Sequence, residues 1–151
     1  MTAVAIDNPI AEIYDRWVDA VEPVVGENHY SVGVSATIDD APYARIFVSG
    51  LYTTQTDLVG NECCMQVEIQ SETYATGNHA MSDAYAIDMV QRNAMVGMGF
   101  RCVYGPVLMD NVDSRLRRLV TRYTRQYTGQ LPAVEAEPDT PDNPEPDDPT
   151  P

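Results

Sequence analysis

Between Asn61 and Gln70 the chain alternates without a slip. Cys63, Met65, Val67 and Ile69 occupy the odd positions, with Glu62, Cys64, Gln66, Glu68 and Gln70 between them. A period of two sends alternate side chains to opposite faces, so the run specifies a half-buried antiparallel strand with one wet face. Such a strand needs neighbours to pair with and a second layer over its apolar side. On this phase Cys63 is a small core residue and Cys64 an exposed thiol among acidic neighbours, where no reactive thiolate is expected.

The rest of the chain supplies both needs. Ile10, Ile13, Tyr14, Trp17, Val18 and Val21 form one helical stripe. The stripe predicts a helix over 9–22, capped by Asn8, with Pro9 at its first position and Pro23 ending it. Residues 30–37 and 43–52 read as strands joined by a turn at 39–42, and 53–60 reads as a polar loop. A second helix is expected over 83–98, with Ser82 as cap and Ile87, Val90, Ala94 and Met98 as its buried line, flanked by Met89 and Met95. Gly97 and Gly99 close it, Gly99 as a left-handed cap. Residues 100–109 read as extended, broken at Gly105-Pro106. The segment 114–128 fits a helical stripe through Leu116, Leu119, Val120, Tyr123 and Tyr127, but its run of Val, Thr and Tyr favours a strand. The order α-β-β-β-α-β-β predicts an α+β domain: an antiparallel sheet of four to five strands with two helices packed on one face.

Charge divides the 151 residues into three zones. Residues 1–100 hold three arginines and fourteen acids; 101–131 hold six arginines and two acids; 132–151 hold seven acids, no base and seven of the eleven prolines. There is no lysine. The last zone predicts a disordered tail, because its like charges repel and its prolines remove backbone donors. The domain division is therefore a folded unit over 1–131 and an acidic tail over 132–151. A net charge of −14 argues against specific nucleic-acid binding through a basic surface. No apolar run approaches the ~20 residues of a membrane span, and the first ten residues lack the pattern of a secretory signal. Three cysteines give no even disulfide framework, so a reducing compartment is expected.

Chemistry-bearing motifs are sparse. His29 and His79 stand alone in polar stretches, each read as an exposed loop histidine, so no metal site is expected. Cys102 reads as core or edge packing. Gly97-Met98-Gly99 follows a helix rather than opening one, which is the wrong order for a phosphate cradle. No acid, base and nucleophile set converges, which argues against an enzyme and gives no cofactor or catalytic residue.

The arginines of the closing segment stand out: Arg115, Arg117, Arg118, Arg122 and Arg125, interleaved with Tyr123. Five guanidinium groups in eleven residues need partners. Three readings remain open: nucleic-acid contact, pairing with carboxylates of a neighbouring copy, or a solvated face paired within the subunit. The planar fork of arginine suits carboxylate pairs across an interface, and an acidic front with a basic back suits head-to-tail association, which closes into rings. The six residues are accordingly candidates for an oligomer or tube interface.

Residues 93–129 (NAMVGMGFRCVYGPVLMDNVDSRLRRLVTRYTRQYTG) resemble the tail terminator, or tail completion, proteins of long-tailed bacteriophages. The likeness lies in a helix ending at Met98-Gly99-Phe100, an extended strand, a D-rich corner at 110–113, and an arginine-tyrosine strand around Arg118, Arg122, Tyr123 and Arg125. The preceding helix and strands agree in order, so it spans about residues 9–128. It supports a strand over 114–128. It implies a structural virion protein, assembled in the host cytoplasm and placed in the tail or neck. It further implies a homo-oligomer, a hexameric ring, that caps the major tail tube protein and joins it to the neck or connector protein. It implies no catalysis and no cofactor. The acidic proline-rich tail and the missing lysines depart from the family pattern. A neck (head-tail joining) or minor capsid protein of similar fold is one alternative. An acidic DNA mimic that inhibits a host nuclease or regulator is another.

Overall fold

The strand expected at 61–70 is the first part of a longer one. The computed structural model describes residues 6–30, 41–110 and 113–133. Its elements are α1 (Ile10–Val25), β1 (His29–Tyr30), β2 (Tyr43–Thr56), β3 (Glu62–Thr76), α2 (Ala80–Gly97), β4 (Arg101–Met109) and β5 (Leu116–Tyr127). The expected tail lies outside the described residues beyond Ala133, as does most of the strand expected at 30–37.

The sheet order is β1-β2-β3-β5-β4. β2, β3, β5 and β4 pair antiparallel, while the two-residue β1 joins β2 in parallel. This is the α+β architecture expected, with the ambiguous segment 114–128 resolved as the strand β5. Register places Ala44 and Ile46 of β2, Met65, Val67 and Ile69 of β3, and Tyr123 and Tyr127 of β5 on one face. Their core continues into Ile13, Trp17, Val21 and Val25 of α1 and Ile87 and Met95 of α2, so both helices cover that face. Among the described residues the other face carries no helix.

Several boundaries differ from the sequence reading, each for a physical reason. α1 runs on through Pro23 to Val25, because Val25 is buried at the end of its stripe and joins the core, which offsets the hydrogen bond that Pro23 cannot donate to the Asp19 carbonyl. Asn8 Oδ1 accepts from Ile10 N at 2.9 Å, one residue outside the helix-flanking Pro9. β2 extends through Thr53–Thr56, where a loop was expected, because β3 pairs with it along this length. β3 continues to Thr76 because β5 pairs with it from Met65 to Thr76. α2 begins at Ala80, before Ser82, and His79 flanks it without a side-chain cap.

The buried line of α2 is Ala84, Ile87, Asp88, Gln91, Met95 and Met98, while Val90 and Ala94 are half-buried and Met89 is exposed. Periodicity missed the two polar members because their partners lie elsewhere in the chain. Gln91 accepts from Trp17 Nε1 at 3.1 Å and donates to Thr73 Oγ1 at 2.6 Å. Asp88 accepts from Thr121 Oγ1 at 2.7 Å, and its second oxygen is buried without a partner. Burial raises the Asp88 pKa against the opposing pull of the Thr121 hydrogen bond and the Arg92 charge.

The cysteine assignments are reversed: Cys63 is exposed and Cys64 buried. Cys63 lies beyond Met65, where the core begins, while Cys64 Sγ packs 3.5 Å from Gln126 Oε1 across the strand pair. Cys102 is half-buried against the core. His29 is not an exposed loop residue but half-buried in β1, edge-on to Trp17 and 3.5 Å from the Tyr14 hydroxyl. His79 is exposed as expected. The expected break at Gly105-Pro106 is a pair of register shifts within a continuous β4.

Candidate functional site

Register defines rows across the helix-free face of the sheet. Tyr43, Tyr74, Arg118 and Met109 form one row; Arg45, Glu72, Val120 and Val107 the next; Phe47, Gln70, Arg122 and Tyr104 the third. Arginine and tyrosine therefore concentrate on the side the helices leave open. These residue types carry most of the energy at protein interfaces, because each joins a large contact area to a directional polar group.

Glu72 is the centre of this face and is 1 % exposed. Its Oε1 accepts from Arg118 Nη2 at 2.5 Å and from Gln70 Nε2 at 3.0 Å. Its Oε2 accepts from the Tyr74 hydroxyl at 2.9 Å and from Arg45 Nη2. Burial would raise its pKa, but the hydrogen bonds from Arg118, Tyr74 and Arg45, with the charge of Arg45, hold it below the ordinary 4.5. The same burial, with the charge of Glu72 and the hydrogen bond to it, pushes Tyr74 up to about 12. Tyr43 stacks on Tyr74 at 4.3 Å between ring centroids and extends the cluster along its row. Arg122 donates from Nε to Gln70 Oε1 at 3.0 Å and lies over the Tyr104 ring at 5.2 Å, so the network runs from Arg122 through Gln70 to Glu72.

The six candidate interface residues are adjacent in sequence but dispersed in space, because a strand alternates them between faces. Arg118 and Arg122 reach the open face. Arg115 pairs with Asp113 at 2.9 Å in the corner before β5. Arg117 donates to the Ser114 carbonyl at 2.9 Å. Arg125 donates to the carbonyls of Met98, Gln126 and Gln130. Burial, with the like charge of Arg16, holds its pKa below the ordinary arginine value. Tyr123 is 1 % exposed, inside the helix-side core with its hydroxyl 3.5 Å from Ser71 Oγ. It supports β5 from within and offers no surface to a partner.

Sequence reasoning put Gln70 on the wet face of its strand but missed Glu72, Arg45 and Tyr74, which complete the cluster. Extending the alternation of β3 by one pair would have added Glu72 to the wet face, but its arginine partners follow only from inter-strand register. Two further surfaces adjoin the site. β4 is an edge strand on which Val103, Tyr104, Leu108 and Met109 are exposed. The outer face of α1 carries exposed Glu12, Asp15, Asp19 and Glu22 at helical spacing.

Among the described residues no group of three or more His, Cys, Asp or Glu is placed to hold a metal ion. No helix among them is long and apolar enough to cross a membrane. No protein-family model matches the chain, and no curated protein matches it.

Proposed function

We propose that this chain is a structural virion subunit of the tail-terminator kind, which self-associates into a ring, caps the tail tube and joins it to the head connector. The observation that carries the reading is β4. Among the described residues it is an edge strand, and it exposes Val103, Tyr104, Leu108 and Met109 beside Arg122. An open strand edge bearing large side chains is a template for pairing with another chain. The acidic row of α1 supplies the complementary charge. A head-to-tail contact places the α1 carboxylates of one copy against the Arg122 side of the next, and contacts of that type close into rings. Arg118 is engaged by Glu72 within the protomer, so the interface role passes to Arg122 and the β4 edge. A neck or minor capsid subunit of similar fold would use the same surfaces.

A charge swap tests the contact. Arg122→Glu, and separately Asp15→Arg with Asp19→Arg, are each expected to abolish ring formation measured by light scattering with the tail tube protein present. The two changes combined are expected to restore it. A chain that stays monomeric in every form with the tube protein present refutes the ring. Electron microscopy of particles lacking the protein then separates the roles. Overlong tails mark a terminator, and normal tails without heads mark a neck protein.

The row of four α1 carboxylates also motivates the DNA-mimic reading. In that case the α1 reversal abolishes binding to a DNA-binding protein, and Arg122→Glu leaves it intact.

A further inference from the structure

At one end of β5 a cleft of about 350 Å³ is lined by Gln66, Gly99, Arg101, Thr124, Arg125 and Gln126. The lining contains two guanidinium groups, two amides and a hydroxyl, and no carboxylate. Among the described residues neither Arg101 nor Arg125 forms an ion pair. Arg101 is exposed, and the partners of Arg125 are backbone carbonyls. The cleft is therefore a cationic, donor-rich concavity on a body that is otherwise strongly acidic.

The course of the chain brings a complementary segment to it. Arg125 Nη2 holds the Gln130 carbonyl at 3.0 Å, and Arg16 Nη1 holds the Pro132 carbonyl at 2.7 Å, so two arginines grip the chain as it leaves the domain. Five residues beyond Gln130 the sequence reaches Glu135, then Glu137, Asp139, Asp142, Glu145, Asp147 and Asp148. At ~3.1 Å per residue for an extended proline-rich stretch, this run reaches the cleft from its own point of exit. The acids of the body repel it elsewhere, while guanidinium groups bind carboxylates through paired hydrogen bonds. Tethering holds the segment at an effective concentration of order millimolar, which favours its own cleft over a neighbour's.

We propose that the acidic segment 135–148 docks in cis into the Arg101–Arg125 cleft. Docked there, it covers the end of the arginine strand beside the surface assigned to ring contact. The inference does not depend on the ring reading, because its test uses the isolated chain of 151 residues.

The test compares amide NMR spectra of the wild-type chain with a full-length variant neutralised in the segment: E135Q, E137Q, D139N, D142N, E145Q, D147N and D148N. Shifts are expected at Gln66, Gly99, Arg101 and 124–126, unchanged on dilution, and lost in about 1 M salt where the screening length falls to ~3 Å. R101Q, a change at an exposed side chain, is expected to shrink the same differences several-fold. Spectra that coincide at the cleft, or differences confined to other surfaces, overturn the proposal. Differences that fade on dilution assign the docking to a neighbouring copy and overturn the cis arrangement.

Discussion

Glu72 is held between two guanidinium groups on the sheet face opposite α1 and α2. Arg45 and Arg118 retain 17 % and 26 % of their side-chain exposure, against 1 % for Glu72. The carboxylate is therefore far drier than the two guanidinium groups that hold it. Glu72→Gln keeps the size but leaves two cations adjacent with no counter-charge. Breaking a buried pair from one side costs ~3–5 kcal/mol, and the partial exposure of the arginines puts this case near ~3. Urea unfolding at neutral pH measures it. The pKa of Glu72 is depressed on folding, so its contribution is fully present above the unfolded value near 4.5 and is lost as pH falls through the lower folded value. Wild type is thus expected to lose stability on that acid limb, and Glu72→Gln to lose less. Asp88 has the opposite sign. Its pKa is raised on folding, so it opposes folding once the pH exceeds the unfolded value, and the penalty is complete above the folded one. Asp88→Asn retains an acceptor for Thr121 and removes the desolvated charge. It is expected to stabilise the fold at neutral pH by on the order of 1 kcal/mol, with the difference vanishing in acid.

Among the elements, β4 shows how a local signal can be right about the residues and wrong about their consequence. Gly105-Pro106 reads as a break, yet the strand runs through it because the irregularity is absorbed as register shifts against β5. Gly105 has φ +87, and an added Cβ would collide with the Val120 carbonyl, so only glycine fits. Gly105→Ala combines left-handed strain with that clash and is expected to cost about 2–4 kcal/mol in unfolding free energy. Hydrogen exchange should localise the loss to β4. The α1 stripe, the odd-numbered face of β3 from Met65 on and the Gly99 cap were legible because local periodicity and turn chemistry carry them. Gly99 has φ +85, and Phe100 N closes back on the Met95 carbonyl at 3.0 Å. The ends of β2 and β3 were not legible, since the pairing partner determines where a polar strand stops. For the same reason sequence reasoning found Arg118 and Arg122 and missed Glu72. A cluster assembled across three strands leaves no periodic trace in any one of them.

At the scale of the molecule, the linear charge zones do not survive as surface zones. The five arginines of 115–125 divide between two faces and a corner, and each finds a partner within its own chain. The proposed ring contact therefore rests on the β4 edge, Arg122 beside it, and the acidic row of α1. The boundary of the folded unit can be argued in the same terms. Leu131 packs against the core, Gln130 is held by Arg125, and Pro132 is held by Arg16. Beyond Ala133 the sequence offers one large apolar side chain, Val134, and seven acids. A chain ending at Ala133 is therefore expected to keep its stability within ~1 kcal/mol, since docking of an exposed charged segment contributes no more than that. A chain ending at Gly129 loses the Leu131 contact and two arginine–carbonyl hydrogen bonds. It is expected to be weaker by roughly 2 kcal/mol, from about one half-buried aliphatic side chain and two modest hydrogen bonds. Thermal unfolding of the two truncations side by side checks both values. Equal melting temperatures would place the boundary before Gln130, and a large loss on removing 134–151 alone would place it beyond Ala133.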